Sequence, residues 1–345
     1  MHPGGDAVSF GATILDAEGL RLTPAEKRFF ADADPFGFIL FARNIDSADQ
    51  VRGLCAEMRD CVGRDAPILI DQEGGRVQRL RPPLGRDWTP PLDFVMQAGD
   101  QAEAAMRLRY RLIAAELRAL GIDGNCAPLV DVAVPETHPF LRNRCYGSDP
   151  ATVVRMGRAV ADGLLAGGVL PVVKHIPGHG RATADSHHDL PRVEVDAATL
   201  TTTDYAPFAA LADLPMAMTA HVVYAAVDPL PATLSPAMIA VIRRDMGFGG
   251  LLMTDDLSMK ALAGTLPELT RASLAAGCDV ALLCNATLAD RAAVAEAAGR
   301  MTPAGQARAE AALAQRRTPD AVDITALEAQ LSAMLGARGP YPGHV

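Results

Sequence analysis

The stretch Asp149–His175, DPATVVRMGRAVADGLLAGGVLPVVKH, holds one helix-to-strand unit. Asp149 is a good cap, since its carboxylate can accept from the free N–H groups of a first helical turn. Pro150 suits the first helical position, where an N–H would have no partner. Ala151–Ala166 reads as the helix, and Gly167-Gly168 ends it. LPVV follows, a short unbroken apolar run of the kind a strand buried on both faces shows. The run closes on Lys174-His175, two residues that do not belong in an apolar interior. Parallel strands must be joined by crossovers, usually helical, so this order repeated along a chain spells a parallel α/β fold.

The order does repeat. Apolar runs occur at Ala7–Leu15, Gly37–Phe41, Pro67–Ile70, Gly124–Val130, Leu170–Val173, Met216–Thr219, Gly250–Met253 and Val280–Leu283. Helical stretches fall between most of them, including Ser47–Asp60, Gln101–Leu120 and one that starts at Ser235-Pro236. Eight strand-then-helix units predict a (β/α)8 TIM-like barrel, an α/β single domain, with a doubly wound open sheet as the alternative. The expected boundaries are a barrel over residues 1–299 and an Ala/Arg/Glu-rich helical tail over 300–345, packed on its outside. In such barrels the chemistry sits at the C-terminal strand ends. Asp71, Asp131, Lys174-His175, His221 and Asp255-Asp256 occupy those positions.

Composition excludes several classes. The chain of 345 residues carries 32 basic and 41 acidic side chains, a net charge of −9, which does not suit a nucleic-acid partner. No run approaches the roughly 20 apolar residues of a membrane span. The opening MHPGGDAVSF lacks the basic and apolar regions of a secretory signal, so a cytoplasmic location is expected. The six cysteines include no C-x-x-C pair and read as reduced, packed thiols.

The chemistry concentrates in Lys174–Pro191, KHIPGHGRATADSHHDLP, which holds four of the eight histidines. His175 and His179 have the spacing of a helical zinc pair, but Pro177 and Gly178 between them preclude a helix. A loop-built zinc site with Asp185, His187 or Asp189 is the lesser reading. The other is proton transfer. Asp185 and His187 are two apart, so an extended segment points both to one side. A carboxylate beside an imidazole fixes its tautomer and favours its protonated form, which suits a general acid. Asp255, closing GLLMT, is a candidate nucleophile, while one of Asp255 and Asp256 can cap the following turn. In DQEGGRVQRL, Asp71–Leu80, the carboxylate of Asp71 and the guanidinium of Arg79 can bind neighbouring sugar hydroxyls. The paired glycines permit a tight turn or a close backbone approach. No G-x-G-x-x-G supports a dinucleotide site.

Together, IDQEGGRVQRL, KHIPGHGRATADSHHDLP and LLMTDDLSMKAL, with FGFILFARNI nearer the start, resemble the family 3 glycoside hydrolases over about residues 8–285. The likeness is greatest to the cytosolic β-N-acetylglucosaminidases of cell-wall recycling. The resemblance implies a metal-free and cofactor-free retaining hydrolase on a TIM-like barrel. It implies Asp255 as nucleophile, His187 on a mobile loop as acid/base and Asp185 as its dyad partner. Asp71, Arg79, Lys174, His175 and Arg144 correspond to terminal-sugar ligands. LRNRCYGSDP, which contains Arg144, has Cys145 where serine is usual. The implied substrate is a carbohydrate, N-acetylglucosaminyl-1,6-anhydro-muramyl peptides. A monomer is expected, and composition argues against a nucleic-acid or membrane partner. Two alternatives remain at this point: a phosphorylase with phosphate as acceptor, and a non-catalytic sugar-binding protein. A β-glucosidase or xylosidase of the same family is disfavoured by the D-S-H segment.

Overall fold

The computed structural model describes residues 9–182 and 190–336. Asp185 and His187 therefore lie outside the described residues. Eight strands follow one another in the chain: β1 (Gly11–Leu15), β2 (Pro35–Leu40), β3 (Ile68–Ile70), β4 (Gly124–Asn125), β5 (Leu170–Ile176), β6 (Met216–Thr219), β7 (Leu251–Met253) and β8 (Ala281–Leu283). They form one parallel sheet in the order β7-β6-β5-β4-β3-β2-β1-β8. A parallel bridge between Met253 and Val280 draws its two ends together, and the Thr254 N–H donates to the Val280 carbonyl at 3.0 Å. The sheet is thus a nearly closed TIM-like barrel, not a doubly wound open sheet.

Side-chain alternation explains why these runs are apolar throughout. Met216 and Met218 of β6 pack inside the ring, whereas Ala217 between them packs outward. Leu251 and Met253 of β7 likewise point in and Leu252 out. The outward residues meet helices, so both faces exclude water. Each fully buried Leu or Met in such a position stabilises the fold by about 1.5–3 kcal/mol.

Several helices begin where the sequence offers a capping residue. α1 (Pro24–Ala33) carries a capping box between Thr23 and Glu26. α2 (Ala48–Val62) is capped by Ser47 and ends at Gly63 with φ 62°. α3 (Ala102–Ala119) packs on α4 (Pro150–Ala166), whose first turn donates to the Asp149 side chain. The helix expected from Ser235-Pro236 runs over Pro236–Ala240 and continues as a π-helical turn, Val241–Asp245.

Two departures have physical causes. The apolar run Gly124–Val130 pairs regularly only at Gly124–Asn125. Pro128 has no N–H to give, and beyond it the chain follows β5 through an isolated bridge between Leu129 and Lys174. The C-terminal helices also do more than cover the outside. In α5 (Pro303–Leu313), Ala309 and Ala312 join the interior cluster of the barrel, together with Met301. Arg308 of α5 forms a two-pronged ion pair with Asp279, which also accepts the Leu252 N–H at 2.9 Å and Arg243 at 2.7 Å. The helix is held across the N-terminal mouth, opposite the end where the strand-end polar residues converge. α6 (Ile324–Leu335) packs against α3 on the outside. All six cysteines are free thiols. Among the described residues no helix is long and apolar enough to cross a membrane.

Candidate active site

A cavity of about 590 Å³ opens at the C-terminal strand ends, and Asp71, Arg79, Arg144, Lys174, His175 and Asp255 all line it. The described residues thus bring together six of the eight predicted site residues. Asp185 and His187 are the two outside them.

One wall is a chain of ion pairs. Arg79 donates to Asp71 at 3.0 Å, and Lys174 contacts the other Asp71 oxygen at 2.9 Å. Lys174 also reaches Glu73 at 2.7 Å, and Arg144 grips Glu73 with two bonds of 2.8 and 2.9 Å. The local sequence accounts for this. Gln72–Gly74 pairs antiparallel with Val77–Gln78 as a small hairpin that carries Arg79 back beside Asp71. Gly74 and Gly75 have φ of 110° and 58°, a region costly for other residues. A Cβ on Gly75 would press on Pro90 at 2.7 Å, so the glycines serve the turn and its packing and do not face the cavity. Gln72 points the opposite way from its neighbours and accepts the Arg79 and Leu80 N–H groups at 3.0 Å. Burial works against the charge of Asp71 and Glu73, but their cations prevail. Asp71 lies well below the usual carboxylate range, and Glu73 falls to about 2. The same pairs raise Lys174 and Arg144 against the effect of burial.

The two nearby arginines separate cleanly. Arg142 donates to the Val134 carbonyl at 2.9 Å and to that of Pro135, tying its own loop together. Arg144 enters the cavity wall.

The next stretch is held by Asp131, fully buried at the end of the irregular β4 segment. Its carboxylate accepts His175 Nδ1 at 2.8 Å and the His175 and His179 N–H groups at 3.2 and 2.6 Å. Because Nδ1 of His175 is engaged, its Nε2 is the nitrogen left to face the cavity. The His179 ring stands 5.6 Å from that of His175, edge to face, and also lines the cavity.

Asp255 and Asp256 divide two roles. Asp256 accepts the Ser258 N–H and hydroxyl at 3.0 and 2.7 Å and the Cys284 N–H at 3.0 Å, so it ties the β7 turn to β8. Burial pushes its carboxyl up to about 6. Asp255 accepts the Asp256 N–H at 2.8 Å through Oδ1. Burial opposes its charge, yet His175, His221, that N–H and Lys174 outweigh the cost and lower its pKa. It is therefore a carboxylate at neutral pH, the form a nucleophile needs. His221 is a framework residue: its ring nitrogens engage Thr233 Oγ1 at 2.7 Å and the Asp256 carbonyl at 3.0 Å.

Sequence reasoning assigned no role to Glu73, and noted Asp131 only as a strand-end residue. The signal for Glu73 was its position two residues after Asp71, since alternate residues of an extended segment share a side. His179 stood out in the sequence only through the histidine cluster and its four-residue spacing from His175.

His179 carries a pH prediction. Burial, then the neighbouring His175, lowers its pKa from 6.5 to about 4. The unfolded chain takes up this proton near pH 6.5 and the folded one resists until about pH 4. The contribution is thus fully present above pH 6.5 and is lost as pH falls between those values. The expected loss is roughly 3 kcal/mol, at about 1.4 kcal/mol for each pH unit between the two values. Urea midpoints across that range should fall for the wild type and flatten in His179→Asn. Equal slopes would remove His179 as the cause.

Among the described residues, no three His, Cys, Asp or Glu side chains are grouped as a metal site. The cavity combines one ionised carboxylate with a wall of paired donors and acceptors, which suits a polyhydroxylated ligand and displacement at one of its carbons.

Comparison with known proteins gives a consistent result. The profile of the Glycosyl hydrolase family 3 N terminal domain matches residues 15–316. A protein named Beta-hexosaminidase from Alkalilimnicola ehrlichii is 39% identical over 282 residues, 80% of this chain and 81% of its own. Another of that name, from Methylococcus capsulatus, is 36% identical over 313 residues, 89% of this chain and 92% of its own. The crystal structure of NagZ from Neisseria gonorrhoeae in complex with N-trifluoroacetyl-D-glucosamine superposes with a TM-score of 0.77 at 30% identity. That match covers 95% of this chain and 99% of the other.

Proposed function

The chain belongs to glycosyl hydrolase family 3, and we propose that it is a retaining β-N-acetylhexosaminidase that removes terminal, non-reducing β-linked N-acetylglucosamine. The observation that carries this reading is the ionised Asp255 carboxylate in the cavity that also presents the Asp71–Arg79–Lys174 network. The relatives named Beta-hexosaminidase support the choice of sugar. As substrates we propose N-acetylglucosaminyl-1,6-anhydro-muramyl peptides, met in the cytoplasm by a monomer. The motifs shared with the cell-wall-recycling enzymes support that part.

The mechanism is a double displacement. An oxygen of Asp255 bonds to the anomeric carbon as the bond to the leaving oxygen breaks. His187, partnered by Asp185, gives its proton to that oxygen. Neutral His187 then takes a proton from water, whose oxygen displaces Asp255 and restores the original anomeric configuration. Asp71, Arg79, Lys174, His175 and Arg144 hold the sugar hydroxyls during both steps.

The test is release of nitrophenol from 4-nitrophenyl N-acetyl-β-D-glucosaminide in EDTA and without phosphate, with the product followed by NMR. Turnover with the β anomer appearing first is expected. Turnover only with added phosphate would make the protein a phosphorylase, and the α anomer first would remove the double displacement. Sugar binding without any turnover would leave a binding protein.

A further inference from the structure

Among the described residues, Glu73 is the one carboxylate of the wall network that does not line the cavity. It is 1% exposed, and both its oxygens are taken by Arg144 and Lys174. It is also held rigidly from behind. Its carbonyl accepts Arg109 Nη2 at 2.8 Å and the Tyr110 hydroxyl at 3.2 Å, and both of those side chains are fully buried.

The wall it backs presents three cations, Arg79, Lys174 and Arg144. Among the described residues, Asp71 is the only carboxylate of the network that reaches the cavity itself. Three such cations around a concave surface would ordinarily make an anion site, because guanidinium and ammonium groups bind phosphate and sulfate through charge-assisted bonds. The terminal residue of the proposed substrate is neutral. For it the wall must offer N–H donors to hydroxyls without drawing in small anions. Asp71 alone leaves these three cations two charges in excess, while Asp71 and Glu73 together leave one; Arg43, Arg76, Asp255 and Asp256 also line the cavity.

We propose that Glu73 is a specificity-determining positioning residue. From behind the wall it offsets the charge of Lys174 and Arg144 and aims both at sugar hydroxyls, so that the site takes a neutral sugar and rejects small anions. This rests on the sugar-binding reading of the cavity. It concerns a residue that acts through two others and touches no substrate.

The test uses inorganic phosphate and sulfate as probes on the full chain, at constant ionic strength. Glu73→Gln keeps size and one acceptor but removes the charge. In this variant phosphate should inhibit nitrophenyl-glycoside turnover competitively, with an inhibition constant at least about tenfold lower than for the wild type. Most of the loss in kcat/KM should lie in KM, since the affected contacts are made equally in ground and transition states. Glu73→Asp retains the charge and should resist phosphate as the wild type does, even where its shorter reach raises KM.

Thermal denaturation keeps the question open to test if Gln at this position weakens folding. Phosphate should raise the Tm of Glu73→Gln by mass action and leave that of the wild type unchanged. Equal phosphate responses in the Gln variant and wild type, or equal sensitivity of the Asp and Gln variants, would overturn the charge argument. The failure of the glycosidase reading would look different: no nitrophenol from the wild type, with the phosphate-dependent Tm of Glu73→Gln still measurable.

Discussion

Asp255→Asn is expected to lose turnover by on the order of 10⁴-fold while its affinity for N-acetylglucosamine changes little. The asparagine side chain has the same shape and its Oδ1 can still accept the Asp256 N–H, the bond recorded at 2.8 Å. What disappears is the negative charge and the electron pair that would form the glycosyl-enzyme. A neutral amide in this position is a poor nucleophile, so the first displacement stalls. Ground-state binding is proposed to depend on Asp71, Arg79, Lys174 and Arg144, which the change leaves in place. The measurement pairs steady-state kinetics on the nitrophenyl glycoside with calorimetric binding of the sugar. Turnover within about tenfold of wild type would remove Asp255 as nucleophile. Lost binding together with lost turnover would make it a ligand of the sugar instead. The neighbouring Asp256 cannot stand in for it, because that carboxylate is committed to Ser258 and Cys284.

The second large effect is expected at His187, and it depends on the leaving group. A general acid contributes roughly 10²–10⁴-fold when the departing oxygen is basic and far less when it is already stable as an anion. His187→Ala should therefore reduce kcat/KM by about that factor on a disaccharide and by less than about tenfold on the nitrophenyl glycoside. The quantity kcat/KM reports only the steps through formation of the glycosyl-enzyme, so the comparison isolates proton donation. The same residue is proposed to activate water afterwards. On the nitrophenyl substrate its loss should thus make the second displacement limiting, visible as a burst of nitrophenol before a slow steady rate. Equal losses on both substrates without a burst would replace the acid/base role with one in binding.

Much of the barrel can be read directly from local patterns. The Met216–Thr219 run became β6 without a change of boundary, and Asp149-Pro150 and Ser47 begin helices where their capping chemistry predicts. These features depend on neighbours a few residues away, so the chain alone carries them. The run Gly124–Val130 was less legible, because apolar character does not reveal that Pro128 interrupts the ladder with β5. The strand-end rule also located Asp71, Lys174, His175 and Asp255 as a set before any of their contacts were known, since a barrel gathers its strand ends on one face.

Sequence by itself therefore determined the strand-and-helix order, the face on which polar residues converge, and the family motifs that name the chemistry. Tertiary structure alone decided what each member of a local pair touches. It showed Arg144 in the cavity wall and Arg142 tied to its own loop, showed the Asp256 carboxylate held by Ser258 and Cys284 while that of Asp255 is not, and gave Glu73 a place behind the wall. The reason is that a charged group's role is set by the charges and backbone groups around it. For Glu73 those belong to Arg144 and Lys174, brought beside it only when the sheet curls into a barrel.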